Sequence, residues 1–411
     1  MKQIKMESNN KMMILAVVAS SLGFFVDLYD IIIVSVVRQS SLLGMGIAEE
    51  DLLSKGIWLL NIQMVGMLLG GFLWGILGDK KGRLTVLFGS ILMYSAATFA
   101  CAYAESFEMY LILRLVAGIG LAGELGAAIT LTTELLPQKY RGIGPAIIAS
   151  FGMLGAIFGS IIGGKYSWQF TYQLGGTMGF VLLFLRLGLL ESGYYIKIIE
   201  TQNEKGSILM LFKNKNLFLK YISIIFLGFP GWFVNGVVMT FTPEIAKAMG
   251  MVEIPKVSTV FMVFFIGFTF GDFSCGMLSQ WLQSRKKAIL SYLSAFAFLL
   301  IIYFLFGNRS TSVYYAIFLL MGISAGYTIV LLTLSAEQTG TNLRATATTS
   351  ALNLLRASVI PQTIAFTFFT GYFGAYYAAI IVGILSVSIA AWAYTNIEET
   401  FHNNLDFVEK N

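Results

Sequence analysis

Apolar residues fall in long unbroken blocks along this chain, and polar residues gather between the blocks instead of alternating within them. Twelve such runs cover about residues 12–37, 55–77, 84–104, 107–133, 142–164, 170–190, 217–241, 257–279, 288–306, 312–335, 345–371 and 374–396. At a rise of about 1.5 Å per residue, each is long enough to cross a hydrocarbon core about 30 Å thick as a helix. Barrel strands alternate in polarity and run only about 10 residues, so a barrel is excluded. The pattern predicts an all-α membrane protein with twelve transmembrane helices.

Composition strengthens this reading. The 411 residues are 57% hydrophobic and 12% charged, with a mean hydropathy of +0.76, whereas a soluble surface of that size needs roughly twice the charge. The net charge of +5 is a topology signal and not a nucleic-acid footprint. With the N-terminus inside, the inner segments hold 18 of the 27 basic residues and the outer segments six, while Arg114, Arg186 and Arg356 lie within runs. That bias predicts a multi-pass protein of the cell membrane with both termini cytoplasmic. Lys2, Lys5 and Lys11 precede an apolar run too long for a signal peptide, so the run reads as the first span. Cys101 and Cys275 sit in spans as small packing residues, and His402 lies in the polar tail. No metal or nucleophile constellation assembles, which argues against the rival reading of an intramembrane enzyme, and no cofactor is expected.

The chain repeats itself. Leu22-Gly23-Phe24 returns as Leu227-Gly228-Phe229, an offset of 205. The stretch from Gly75 through Asp79 to Arg83 has a worn counterpart from Gly276 to Lys287, offset about 201, in which Gln280 replaces the acid. Glu134 and Arg141, seven apart, return as Glu337 and Arg344, offset 203. Nearly one offset for three matches predicts two pseudo-symmetric six-helix bundles, 1–190 and 216–396, with a cytoplasmic linker at 191–215 and a cytoplasmic tail at 397–411. Parallel halves of this kind describe a rocker-type secondary transporter, here expected to act as a monomer.

Charges inside the spans mark the chemistry. Asp27, Asp30, Arg114, Glu124, Asp272 and Arg356 would together cost on the order of 15 kcal/mol if each faced lipid. They must line water, pair or become neutral. Asp30 lies about 10 Å from the outer end of the first run, and Arg114 about 10 Å into the fourth from the same side. They are expected to pair. Asp27 lies one turn deeper, and Glu124, counted from Glu134, is placed beside it as a second protonatable acid. Arg356 offers an anionic substrate group a positive charge from the other half. Asn235 occupies the place equivalent to Asp30, and Tyr29, Trp232 and Tyr327 are candidate cavity liners. Asp272, near the inner loop, is either a gating residue or a structural tie to Arg285–Lys287.

Gly75-Ile-Leu-Gly-Asp-Lys-Lys-Gly-Arg83 resembles the loop motif of the major facilitator superfamily, and Glu134-Leu-Leu-Pro-Gln-Lys-Tyr-Arg141-Gly resembles the second inside loop of its sugar- and metabolite-porter branches. Asp27-Leu-Tyr29-Asp30 and the glycine run from Arg114 to Glu124 are similar to elements of the metabolite:proton symporters and, more distantly, the phosphate:proton symporters. The latter carry Tyr-Pro after the acid where this chain has Leu125-Gly126, and Trp-x3-Asp where it has Trp232-x2-Asn235. Asp79 is expected against the N-terminus of the eleventh helix, where partial positive charge favours an anion, as the resemblance also implies. Glu134 with Arg141 and Glu337 with Arg344 are expected to latch the inner face, with Arg83 a further gating candidate.

The expected activity is proton-coupled uptake of a small polar metabolite, an organic acid or zwitterion, by alternating access. Proton-driven efflux of amphipathic compounds and inorganic phosphate symport are the alternatives. The expected partners are that substrate, protons and the lipid bilayer, with no nucleic acid.

Overall fold

The computed structural model describes residues 2–81, 83–124, 143–191, 215–340 and 344–401, and every regular element among them is helical. The elements are α1 (Lys2–Val36), α2 (Arg38–Gly44), α3 (Leu52–Lys81), α4 (Arg83–Cys101), α5 (Phe107–Leu121), α6 (Ile143–Lys165), α7 (Trp168–Glu191), α8 (Lys215–Leu227), α9 (Phe229–Phe233), α10 (Thr242–Ala248), α11 (Val257–Trp281), α12 (Arg285–Phe306), α13 (Thr311–Ala325), α14 (Tyr327–Glu337), α15 (Arg344–Ala357) and α16 (Val359–Asn396). A π-helical turn, Val234–Met239, separates α9 from α10. Eight stretches among the described residues are long and apolar enough to cross a bilayer. The chain is a multi-pass membrane protein. α16, at 38 residues, would run about 57 Å if straight, nearly twice a hydrocarbon core. It is broken at Gly374, whose φ of 79° and ψ of 165° leave the helical region.

The Cα framework divides into two compact units, residues 1–49 with 62–203, and residues 50–61 with 204–411. In the second unit, Thr363 Oγ1 donates to Asn61 Oδ1 at 2.7 Å.

Each unit contains the same packing device. In the first, α3 and α5 touch backbone to backbone: a Cβ on Gly66 would strike the Leu115 carbonyl, and one on Gly118 would strike the Gln63 carbonyl. In the second, α11 and α13 do the same, Gly267 against the Leu319 carbonyl and Gly322 against the Phe264 carbonyl. Small residues at such crossings give the dispersion contact that drives helix association where no hydrophobic effect operates. The N-caps repeat as well. Ser106 accepts from Met109 N, and Ser310 accepts from Val313 N. Tyr110 donates to Ser41 at 3.2 Å, and Tyr314, 204 positions later, donates to Thr242 at 3.3 Å.

Candidate functional site

The first unit is built around α1, whose Gly23, Asp27 and Asp30 follow a four-then-three spacing and therefore share one face. None of the three faces lipid or solvent: Asp27 is 0% and Asp30 1% exposed. Asp30 and Arg114 form the expected pair, Nη2 to Oδ2 at 2.9 Å and Nη1 to Oδ1 at 3.4 Å. Thr98 of α4 donates to Oδ1 at 2.7 Å, so the carboxylate is held from two helices. The guanidinium lies 5.4 Å from the centre of the Tyr172 ring. Tyr172 shares a 2.5 Å hydrogen bond with Tyr110, which fixes the face Arg114 rests on. A fully buried charge pair holds only with this degree of geometric support, because desolvation otherwise exceeds the attraction.

A second buried pair lies deeper. Arg186 of α7 grips Glu124 with both terminal nitrogens, at 2.5 and 3.1 Å, and Nη2 also donates to the Ala19 carbonyl of α1 at 3.2 Å. Arg186 is 2% and Glu124 0% exposed. The reading from sequence gave Arg186 no role; its intramembrane charge was the signal available. Gly23 explains the close approach. A Cβ there would overlap Glu124 Oε1 and crowd Arg186 Nη2, so the repeated Leu-Gly-Phe motif has a steric reason in this half. Glu124 meets α1 at Gly23, one turn below Asp27, and not beside Asp27 as expected. Counting back from Glu134 assumed an unbroken helix, but α5 ends at Leu121 and Ala122 and Gly123 form a turn.

Tyr29 is buried and spends its hydroxyl on the Thr171 carbonyl at 2.8 Å. In the second unit, the seventh apolar run is interrupted at Gly228 and again at the π turn. π turns concentrate at functional positions. The break is satisfied from outside: Tyr327 donates to the Leu227 carbonyl at 2.9 Å and Gln362 to the Phe229 carbonyl at 3.0 Å. Gln362 is a residue that sequence reasoning missed, since an amide late in a span carries no charge signal. Trp232 and Asn235 are half-buried on the interrupted segment, with the Asn235 carbonyl accepting from Thr240 Oγ1 at 2.9 Å. Arg356 is buried on α15 at 2% exposure.

Of the gating candidates, Glu134 and Arg141 lie outside the described residues, as do the side chains of Asp79, Arg83 and Arg344. Glu337 is paired with Arg285, Nη2 to Oε1 at 3.0 Å and Nε to Oε2 at 3.2 Å. Thr400 donates to the same carboxylate at 2.6 Å. The segment Ile397–Phe401 is clamped there: Lys286 Nζ donates to the Ile397 carbonyl at 2.7 Å, and Glu399 accepts from Ser284 Oγ and from Arg285 N at 2.9 Å. Burial works against ionised Glu399, but these donors, with the backbone N–H groups of Phe401 and Thr400, outweigh it and hold its carboxyl below the usual glutamate range. Asp272 makes no ion pair with the Arg285–Lys287 cluster among the described residues, where Arg285 pairs with Glu337 instead.

A family model described as Major Facilitator Superfamily matches residues 12–361. The chain is 35% identical over 123 residues to a niacin transporter of Acinetobacter baylyi, covering 29% of this chain and 28% of that one. It is 30% identical over 180 residues to a putative niacin/nicotinamide transporter of Bacillus subtilis, covering 43% of this chain and 44% of that one. With a sialic acid transporter of Escherichia coli it shares 21% identity across 87% of this chain and 88% of the relative. Among solved structures, a D-xylose-proton symporter superposes with a TM-score of 0.72 at 15% identity, over 94% of this chain and 98% of the other. The alignments to the two niacin relatives thus span less than half of those proteins.

Proposed function

The chain belongs to the Major Facilitator Superfamily, and we propose that it is a proton-coupled importer of a small organic anion or zwitterion that works by alternating access. The observation that carries this reading is the paired arrangement of Asp30 with Arg114 and Glu124 with Arg186, with Asp27 on the same α1 face between them. A buried charge must keep a counter-charge. If Asp30 takes a proton, Arg114 loses its anion and becomes a site for a substrate carboxylate; the site's total charge is then unchanged. One proton and one carboxylate therefore enter together, and neither is favoured alone. In this scheme Asp27, Asp30 and Glu124 are the coupling acids. Arg114, Arg356, Trp232, Asn235, Tyr29 and Tyr327 contribute to substrate recognition, while Asp79, Arg83, Glu134, Arg141, Asp272, Glu337 and Arg344 act at the gates.

The substrate class is drawn from the relatives, which include niacin, benzoate and 4-hydroxybenzoate transporters. Twelve spans in two six-helix bundles are supported by the eight candidate spans, the further helices α4, α5 and α7, and the division of the last stretch at Gly374. We assign the protein to the cell membrane as a monomer with both termini cytoplasmic. The test is uptake of radiolabelled nicotinate, 4-hydroxybenzoate and N-acetylneuraminate by proteoliposomes, with and without an inward proton gradient. Gradient-driven accumulation of at least one, collapsed by a protonophore, is the expected result. Uptake of none, or uptake indifferent to the gradient, refutes the reading.

A further inference from the structure

Tyr94 of α4 is 0% exposed, and its hydroxyl makes no hydrogen bond among the described residues. The same holds for the hydroxyl of the adjacent Ser95. Buried hydroxyls in native proteins are almost always partnered, by protein or by internal water. The position of Tyr94 is specific. Thr98, which donates to Asp30, is four residues along α4 and thus on the same face one turn away. Two glycines make room for the residue: Gly120 of α5 packs against its backbone and Gly179 of α7 against its ring. On α7, Gly179 stands seven residues from Tyr172, which supports Arg114, and seven from Arg186, about 10 Å each way. Tyr94 is therefore midway between the two ion pairs. The charged groups near enough to act on it electrostatically are Glu124, just beyond the end of α5, Arg186 of α7, and Asp27 and Asp30 of α1.

We infer that Tyr94 is a proton-relay residue that, with internal water, connects Asp27 to Glu124. The inference rests on the proton-coupled reading above and names the route between its acids. The step is a concerted hop. The O–H bond of protonated Asp27 breaks as its proton passes, directly or through a water, to the phenol oxygen. The phenol's own proton moves in the same event to Glu124, so an O–H bond forms there and Tyr94 ends neutral. Asp27 gains the negative charge that Glu124 loses, and Arg186 is released from its ion pair. A proton arriving at Asp27 thereby loosens the contact among α1, Glu124 and Arg186 one helical turn deeper.

The test needs no substrate. Proteoliposomes sorted to one orientation receive an acid pulse on the outer face, and infrared spectroscopy follows the protonated-carboxyl band that Glu124→Gln abolishes. Tyr94→Phe should slow the appearance of that band about tenfold or more while leaving its final amplitude unchanged. Tyr94→His, which again both accepts and donates, should recover most of the rate. Equal rates in native and Tyr94→Phe protein overturn the relay. So does a loss of amplitude together with a lowered unfolding temperature, which would mean that Tyr94 only supports the fold. Failure of the native protein to transport any tested metabolite would refute the transport reading without altering this readout.

Discussion

Arg186 provides the sharpest test of how the first unit is held together. Replacing it with Met keeps an unbranched chain in the same space but removes both bonds to Glu124 and the one to the Ala19 carbonyl. Breaking a buried pair from one side costs about 3–5 kcal/mol, because the remaining charge stays buried without its partner. The lost bond to Ala19 adds about 1 kcal/mol. At about 2–4 °C per kcal/mol for a unit of some 200 residues, the unfolding temperature should fall by roughly 10–20 °C. Most of that deficit belongs to the stranded carboxylate and not to lost packing. Glu124→Gln combined with Arg186→Met should therefore be more stable than Arg186→Met alone, recovering about 3 kcal/mol. The assay is thermal unfolding of the purified protein in detergent at neutral pH, for both single variants and the double. If the double variant is no more stable than Arg186→Met, or if Arg186→Met unfolds within 2 °C or so of the native protein, the charge-pair account is refuted.

Gly23→Ala should destabilise the first unit by about 1–3 kcal/mol, since its methyl group enters space filled by Glu124 and Arg186; an unchanged unfolding temperature would contradict the close contact. Asp30→Asn removes the anion from Arg114, so substrate exchange should persist while uptake no longer responds to a proton gradient, as read by paired counterflow and gradient-driven assays. For the clamped tail, the carboxyl of Glu399 sits below its ordinary value. Its contribution is thus complete above about pH 4.3 and is lost as pH falls through the lower folded value. Hydrogen exchange at residues 397–401 should stay slow down to that range and speed up below it, and Glu399→Gln should exchange fast even at neutral pH.

Much of this architecture was legible in one dimension. Apolar run length fixed the helical membrane class because lipid leaves a spanning chain only helices or closed barrels to satisfy its backbone, and these runs are too long and too uniformly apolar for barrel strands. The expense of intramembrane charge singled out Asp27, Asp30, Arg114 and Glu124, and distance along the helices gave Asp30 and Arg114 a common depth. The repeat offset reappears in the Gly66–Gly118 and Gly267–Gly322 crossings, since the same steric demand is met twice by the same residue type. Sequence gives depth along a helix but not which way a side chain faces across it. That is why Arg186 joined Glu124 only in three dimensions, why Glu124 came to rest on Gly23 and not beside Asp27, and why Glu337 found Arg285. The chain's composition determined that these charges needed partners; the packing of α1, α4, α5 and α7, set by where glycines let backbones approach, decided which partners they received.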